Sequence, residues 1–260
     1  MNWVRKSVLN YLNSNCSNEG LSFDLKDPSN EDLLVLDSAP GGWSIDKKVA
    51  EAILQITRSR KVFKVVEVGA GYSTIVFHYS LGKINPNYEV VSIEENKDWF
   101  KVPKAVTNLI DPHKLNFKLG KLRFVFSRFG IHAKYKLASK NFTGKGVHMV
   151  FIDGPQYYYG REGGLDHIYS FLSVGCLIIM DDAERYTEKC VIFKWLKVYK
   201  GLELIYLNDS FGNKGLAVLK VIQPLKRRFS IAAFSLGMLQ GIKRMANFRQ
   251  IKEKQNLLNN

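Results

Sequence analysis

Residues 64–77, KVVEVGAGYSTIVF, constrain the fold more than any other stretch of the sequence. An apolar run leads directly into Gly69 and Gly71 and then continues as a helical pattern. Glycine lets the backbone turn sharply and approach a ligand closely. Because ligands of open α/β sheets bind at the carboxyl ends of the strands, this turn is a candidate binding loop.

Similar apolar runs recur along the chain. The pattern predicts strands at 62–68, 88–94, 122–127, 147–153 and 176–181, and helices at 46–57, 72–81, 160–173 and 187–199. Apolar strands separated by helices are typical of a parallel sheet covered on both faces. Two further strands, 202–208 and 215–222, are joined by a short turn and predict an antiparallel hairpin. The predicted fold class is therefore α/β, with a doubly wound, mostly parallel sheet of seven strands.

Segments outside this sheet divide the chain into three parts. We predict a helical and loop-rich lead-in over 1–45, the sheet domain over 46–223 and a basic amphipathic helical tail over 224–260. Apolar residues recur in the tail at helical spacing between clusters of lysine and arginine: Phe229, Ala232, Ala233, Leu236, Leu239 and Ile242. This pattern predicts a helix that lies on an anionic membrane surface, or one that packs on the domain or in a dimer interface.

The charge and the cysteine content limit which binding partners and which cellular compartment we expect. The chain has 38 Lys+Arg against 24 Asp+Glu, a net charge of +14, which indicates a nucleic acid, an anionic membrane or an acidic substrate as partner. Three cysteines without CxxC spacing predict neither a disulfide framework nor a thiolate zinc site. Residues 1–20 lack the apolar core of a signal peptide. We expect a cytoplasmic protein, either free or peripheral to the inner face of a membrane.

The stretch EVGAGYST, residues 67–74, resembles motif I of the class I S-adenosylmethionine-dependent methyltransferases. A dinucleotide-binding loop would carry a third glycine where Thr74 stands. The resemblance implies a Rossmann-like fold, S-adenosylmethionine as cofactor, and Glu94, or Glu95 instead, as the acid on the ribose hydroxyls. The implied cofactor-binding residues are Glu67, Gly69, Ala70, Gly71, Ser73, Thr74, Glu94, Glu95 and Asp153. The alternative is that Glu67 and Glu94 are solvated acids at strand ends.

Three aspartates follow two of the predicted strands. Asp153 ends one strand, and Asp181 and Asp182 end the next. Because neighbouring parallel strands end at the same edge, we expect the three carboxylates to converge beside the glycine loop. Facing carboxylates repel, and a hard cation such as Mg²⁺ relieves the repulsion. The alternative is that Asp181 and Asp182 cap a helix or pair with Arg185.

The spacing of these aspartates resembles the metal triad of the Mg²⁺-dependent O-methyltransferases, including the macrocin-type sugar enzymes. The stretch DGPQYYYGREGGLDHIYS, followed by DDAER, also resembles the glucuronoxylan O-methyltransferases. The second resemblance implies that Arg161 and Arg185 line the substrate side, and it does not imply a metal. Together they imply methyl transfer to a hydroxyl of a saccharide or glycan, with Mg²⁺ or a similar divalent cation as an open alternative.

The proton acceptor is not fixed by these resemblances. The position of the corresponding acid is occupied by Pro155, and that of the lysine by Gln156 or one of the adjacent tyrosines, depending on how the loop is aligned. The catalytic candidates are Asp153, Asp182, His167 and Arg161, with His167 or Asp182 as the base. A helical histidine otherwise packs or is solvated.

Other interpretations remain open at this point. Trp43 in PGGWSID is predicted to stack on the cofactor or to anchor the lead-in. An RNA methyltransferase would use the positive charge, but no N-P-P-Y-type motif or RNA-binding module is present, so nucleic acid is a disfavoured partner. A non-catalytic scaffold and a homo-oligomer are the remaining alternatives.

Overall fold

The computed structural model describes residues 2–42, 44–96, 98, 100–137 and 146–258. Its strands are β1 (Lys64–Val68), β2 (Glu89–Glu94), β3 (Asn116–Leu119), β4 (Leu122–Ser127), β5 (Gly130–Tyr135), β6 (Val147–Ile152), β7 (Leu172–Asp181), β8 (Tyr199–Asn208) and β9 (Leu216–Arg227). Its α-helices are α1 (Asn2–Ser14), α2 (Asn30–Asp37), α3 (Lys47–Ser59), α4 (Tyr72–Ile84), α5 (Tyr186–Val198) and α6 (Ile231–Leu258).

Seven strands form the central sheet, in the order β3-β2-β1-β6-β7-β9-β8. Neighbours from β3 to β7 pair in parallel, and β9 is antiparallel to both β7 and β8. The strand order reverses between β1 and β6, which is where open α/β sheets bind ligands. The predicted fold class, a mostly parallel seven-stranded sheet with a terminal hairpin, is confirmed.

The two faces of the sheet bury different helices. Consecutive residues of β1 point to opposite faces of the sheet, so that Val65 and Val66 belong to two separate hydrophobic clusters. One cluster joins the sheet to α2, α3 and α4, and the other joins it to α1, α5 and α6. Burial on both faces explains why the parallel strands are nearly continuous apolar runs in the sequence.

Two predicted elements differ from the structure. The segment 122–127 is a strand, β4, but it pairs only with β5 in a separate two-stranded sheet, and β3 takes the predicted place in the central sheet. No α-helix forms over 160–173, where the chain makes two short 3-10 helices, Glu162–Leu165 and Tyr169–Phe171. Gly163 explains the second difference, because a Cβ there would lie 2.5 Å from the carbonyl oxygen of Ala133.

The helix α6 packs directly on β5 and α5. Ala233 and Leu236 are buried, and at Gly237 the helix backbone lies so close to the Phe129 carbonyl that no Cβ could fit. The tail helix therefore packs on the domain with this face, as one of the two alternatives predicted. Leu239 and Ile242 point outward and are exposed.

No helix in the described residues is long and apolar enough to cross a membrane. The predicted domain boundaries stay a prediction.

Candidate active site

A cavity of about 940 Å³ opens at the carboxyl ends of β1, β2, β6 and β7. This volume is near the upper end of the range of roughly 300–1,000 Å³ for ligand pockets. The lead-in contributes to its wall through Gly41, Gly42 and Ser44, whereas Trp43 lies outside the described residues. Lys214, in the turn between β8 and β9, donates a hydrogen bond to the Ser44 carbonyl at 2.9 Å. The lead-in is thus tied to the opposite rim of the cavity.

The glycine loop after β1 forms the floor of one half of this cavity. Gly69 has φ of +96°, and a Cβ there would lie 2.5 Å from the backbone nitrogen of Gly154. Only glycine fits this close approach of the two loops. Gly69 donates to the Ile93 carbonyl at 2.9 Å, and the Ala70 amide donates to Glu94 Oε2 at 3.1 Å. The loop is therefore fixed to the end of β2.

Glu67 lies beneath the loop and not on the cavity wall. Its buried carboxylate accepts hydrogen bonds from the hydroxyls of Ser73, Thr74 and Ser92. Burial raises the pKa of Glu67 to about 7, and the three hydroxyl bonds offset part of that rise. That Glu67, Ser73 and Thr74 bind the cofactor stays a prediction; in the structure these side chains bond to one another and support the loop from behind.

Glu94 and Glu95 both line the cavity but differ in their surroundings. The Glu94 carboxylate is nearly buried and accepts from the backbone amides of Ala70, Glu95 and Asn96. Burial raises the pKa of Glu94, against the effect of these amide bonds. Glu95 is exposed, and its carboxylate accepts from the Leu122 amide at 3.3 Å. Glu94 is the better-positioned carboxylate for a ligand in this half.

Asp153, Asp181 and Asp182 converge beside the glycine loop. One carboxylate oxygen of each lies within 4.8 Å of those of the other two. Asp181 is fully buried, and burial together with the charges of Asp153 and Asp182 raises its pKa well above the ordinary value. The Asp153 side chain is 22% exposed, and burial raises its pKa to about 6 although Arg161 opposes the shift. Asp153 and Asp182 line the cavity, and Asp181 lies beneath it.

A guanidinium group lies among these carboxylates. Arg161 Nη2 is 3.0 Å from Asp153 Oδ1 and 2.7 Å from Asp182 Oδ2, and Nη1 is 2.8 Å from the Asp181 carbonyl. Burial alone would lower the pKa of Arg161, but the carboxylates of Asp153 and Glu188 raise it above the ordinary value. This pairing was missed from the sequence, although the Gly-Arg pair after Asp153 was available as a signal.

His167 lies outside the wall of the cavity. Its Nε2 donates to the Tyr135 carbonyl at 2.8 Å, and its side chain does not line the cavity. Burial lowers the pKa of His167. That His167 is a catalytic base stays a prediction; in the structure its ring holds the chain after Arg161 against β5.

Aromatic residues that follow Asp153 in the chain also line the cavity. Tyr157, Tyr158 and Tyr159 all contribute to this wall, and the Arg185 guanidinium lies 5.5 Å from the centre of the Tyr157 ring. Arg185 also lines the cavity and binds Asp182 Oδ2 at 2.8 Å. From the sequence, these tyrosines were considered only as alternatives to Gln156 at the lysine position, and a role in lining the cavity was not predicted.

Solved structures with the same fold include O-methyltransferases. The O-methyltransferase TomG from Streptomyces achromogenes, solved with S-adenosylmethionine, is 12% identical, with a TM-score of 0.52, and covers 73% of this chain and 90% of its own. An O-methyltransferase from Bacillus cereus, solved with SAH, is 13% identical, with a TM-score of 0.51, and covers 81% of this chain and 99% of its own. No protein-family model and no curated protein matches the chain. The likeness establishes the class I methyltransferase fold.

Proposed function

We propose that this protein is an S-adenosylmethionine-dependent O-methyltransferase that methylates a hydroxyl of a saccharide or glycan. The observation that carries the proposal is the single cavity onto which Gly69–Gly71, Glu94, Asp153 and the tyrosine run all converge. The volume accommodates a cofactor and an acceptor side by side. The named structural neighbours, both O-methyltransferases, support this assignment.

Glu94 and the glycine loop form the cofactor half of the proposed site. The Glu94 carboxylate is fixed by three backbone amides, so that its remaining lone pairs are oriented for the ribose hydroxyls. The backbone at Gly69 and Gly71 leaves room beside it because neither residue has a side chain. Glu67 keeps this loop in place through Ser73 and Thr74.

The acceptor half combines flat aromatic faces with polar groups. Tyrosine rings offer an apolar face for a sugar ring and a hydroxyl for its polar edge. Tyr157, Tyr158 and Tyr159 supply three such rings next to Asp153. This combination supports a saccharide over a purely apolar acceptor.

Asp153 is the proposed proton acceptor. S-adenosylmethionine, when bound, supplies an electrophilic methyl group on a sulfonium sulfur. The Asp153 carboxylate takes the proton of the acceptor hydroxyl as the new oxygen–carbon bond forms and the carbon–sulfur bond breaks. Arg161 bonds to Oδ1 of this carboxylate. No described residue bonds to Oδ2. Asp153 is thus held with one oxygen open to the cavity.

Two matched variants test the proposal. We expect Glu94→Gln to weaken S-adenosylmethionine binding by at least about tenfold, because a hydrogen bond to a charged group contributes about 1.5–3 kcal/mol. Glu95→Gln is the control and should change the affinity for S-adenosylmethionine by less than about threefold. Asp153→Asn should retain cofactor binding and lose about 10²–10⁴-fold in methyl transfer. Calorimetry measures binding, and transfer of a labelled methyl group to a panel of saccharides measures turnover.

Other outcomes would contradict the assignment. Absence of any cofactor binding by the wild type would favour a non-catalytic scaffold. Salt-sensitive labelling of RNA in place of saccharides would favour a nucleic-acid methyltransferase, as the net charge of +14 allows.

We also propose that the surface around the start of α6 binds an anionic phospholipid membrane. Phe126, Phe229 and Ile231 are exposed there, and the Phe234 ring lies 5.5 Å from the rings of both phenylalanines. Exposed basic residues adjoin this patch: Lys226, Arg227 and Arg228. A basic residue near an anionic surface contributes about 1 kcal/mol, so that charge complementarity favours this occupant.

Vesicle sedimentation tests the membrane proposal. We expect binding to phosphatidylserine-containing vesicles, and a loss of at least about tenfold in the variant Phe229→Ser/Ile231→Ser. Leu33→Ser/Leu34→Ser removes two exposed leucines of α2 and should leave binding unchanged. Equal binding by both variants would contradict the proposal. A change of oligomeric mass in the patch variant would instead make a second copy of the chain the occupant.

A further inference from the structure

The guanidinium of Arg161 lies within the three-aspartate cluster. Arg161 bonds to one carboxylate oxygen of Asp153 and one of Asp182, and to the backbone carbonyl of Asp181. Its Nε faces the Pro155 carbonyl at 3.4 Å. The guanidinium thus spans the two carboxylates that line the cavity, and its side chain is only 3% exposed.

Neighbouring residues prevent Arg161 from leaving this position. Glu162, the next residue, is fully buried and bonds to Lys194 and to Arg244 Nη1. The Trp195 indole donates to the Glu162 backbone carbonyl at 3.0 Å. The backbone that carries Arg161 is therefore fixed from α5 and α6 at once.

A divalent ion would compete directly with this arrangement. Mg²⁺ requires carboxylate oxygens at about 2.0–2.1 Å in near-octahedral geometry. One oxygen of Asp153 and one of Asp182 are bonded to Arg161, whereas both oxygens of Asp181 and Oδ1 of Asp182 are buried without a hydrogen-bond partner in the described part of the chain. An ion placed beside the two bonded oxygens would also meet the positive charge of the guanidinium at close range. A metal ion that used these two bonded oxygens would therefore have to displace the Arg161 guanidinium.

We propose that Arg161 takes the place of a divalent cation in this cluster, so that methyl transfer by this protein is metal-independent. The catalytic part of this inference rests on the proposed function. Arg161 acts as a positioning residue: it offsets part of the negative charge of the cluster and holds Asp153 with one oxygen toward the acceptor. The predicted metal role of Asp153, Asp181 and Asp182 is the opposing hypothesis.

Direct Mn²⁺ binding separates the two hypotheses without any assay of activity. The free Mn²⁺ signal in electron paramagnetic resonance should be unchanged by the wild-type protein, with or without SAH, at millimolar Mn²⁺. We expect Arg161→Ala to bind one Mn²⁺, because three carboxylates then lack their cation. Arg185→Ala is the matched control. It also removes a guanidinium that bonds to Asp182, but one at the rim of the cavity, and this variant should not bind Mn²⁺.

Several outcomes would overturn the inference. Stoichiometric Mn²⁺ binding by the wild type that is lost in Asp181→Asn would show a metal site. A folded Arg161→Ala variant that binds no Mn²⁺ would show that the cluster is not a cation site. If Arg161→Ala does not fold, Mn²⁺ titration of the wild type still decides between the two hypotheses. Turnover of the wild type, measured with a chelator and again after Mg²⁺ is restored, is the second measurement. Unchanged turnover supports the inference, and recovery only with Mg²⁺ contradicts it. A protein that binds no S-adenosylmethionine would refute the proposed function while leaving the Mn²⁺ result readable.

Discussion

Glu67 illustrates how a single carboxyl group under a binding loop sets a pH dependence. Its ordinary pKa of 4.5 is raised to about 7 in the folded protein. The folded state therefore holds this proton more tightly than the unfolded chain does. The stability from this group is complete below about pH 4.5 and is lost as the pH rises through about 7.

The variant Glu67→Gln should remove this dependence, because an amide resembles the protonated carboxyl. The free energy of unfolding of the wild type, relative to the variant, should fall between pH 4.5 and 7.5 by on the order of 3 kcal/mol. Urea unfolding across this range measures the difference. Asp24→Asn, at a side chain that is 92% exposed, is the control and should run parallel to the wild type. Parallel curves for Glu67→Gln as well would contradict the prediction.

Residues at strand ends could be predicted, and side chains whose direction depends on packing could not. The convergence of Asp153 with Asp181 and Asp182 follows from the shared edge of parallel strands. Glu67 stands two residues before Gly69, but only the structure reveals that its side chain points away from the cavity. The ring of His167 is likewise directed by the loop after Arg161, whose path no periodicity encodes.

At the scale of elements, α6 docks through its own backbone. Gly237 contacts the Phe129 carbonyl, and Gly241 contacts the Ile131 carbonyl one turn later. A methyl group at either position would meet a backbone atom that cannot rotate away. Two small residues on one helix face thus set the distance between α6 and β5.

The variant Gly237→Ala should be destabilising by about 1–3 kcal/mol, since overpacking outweighs the gain in helix propensity. Ser235→Ala, at an exposed position of the same helix, is the control and should be neutral or slightly stabilising. Thermal unfolding compares the two. A stabilised Gly237→Ala protein would mean that α6 does not lie on β5 in solution.

Helices and strands with a clear periodic pattern of apolar residues could be predicted. The two differences, at 122–127 and 160–173, have physical causes. The segment 122–127 has the composition of a strand, but sequence does not specify its partner, and β5 pairs with it outside the central sheet. The segment 160–173 has helical spacing, but Gly160, Gly163 and the buried Glu162 fit a tight irregular path instead. Tertiary contacts override local propensity in 160–173, whereas in 122–127 they decide only the pairing partner.

At the scale of the whole molecule, a buried ion network joins distant parts of the chain. Glu162 bonds to Lys194 of α5 and Arg244 of α6, and both side chains are almost fully buried. Burial alone would raise the pKa of Glu162, but Arg244 and Lys194 lower it below the ordinary value. The network lies directly behind Arg161, so that the tail helix supports the candidate active site.

The variant Arg244→Met should lower the free energy of unfolding by about 3 kcal/mol, because breaking a buried pair leaves a charge uncompensated. Lys243→Met, at the exposed neighbouring position, should change it by less than about 0.5 kcal/mol. Urea unfolding gives both values, and S-adenosylmethionine binding by Arg244→Met should persist because Glu94 lies elsewhere. Equal stability of the two variants would show that the network contributes nothing.

The Glu162 network also has a consequence for the order in which the molecule matures on the ribosome. Every strand of the central sheet precedes α6 in the chain, so the sheet can assemble before Arg244 has been synthesised. During that interval the Glu162 carboxylate has only Lys194 as a cationic partner, and the backbone behind Arg161 lacks its second support. A nascent chain would therefore acquire its glycine loop early and its acceptor wall late, when α6 arrives.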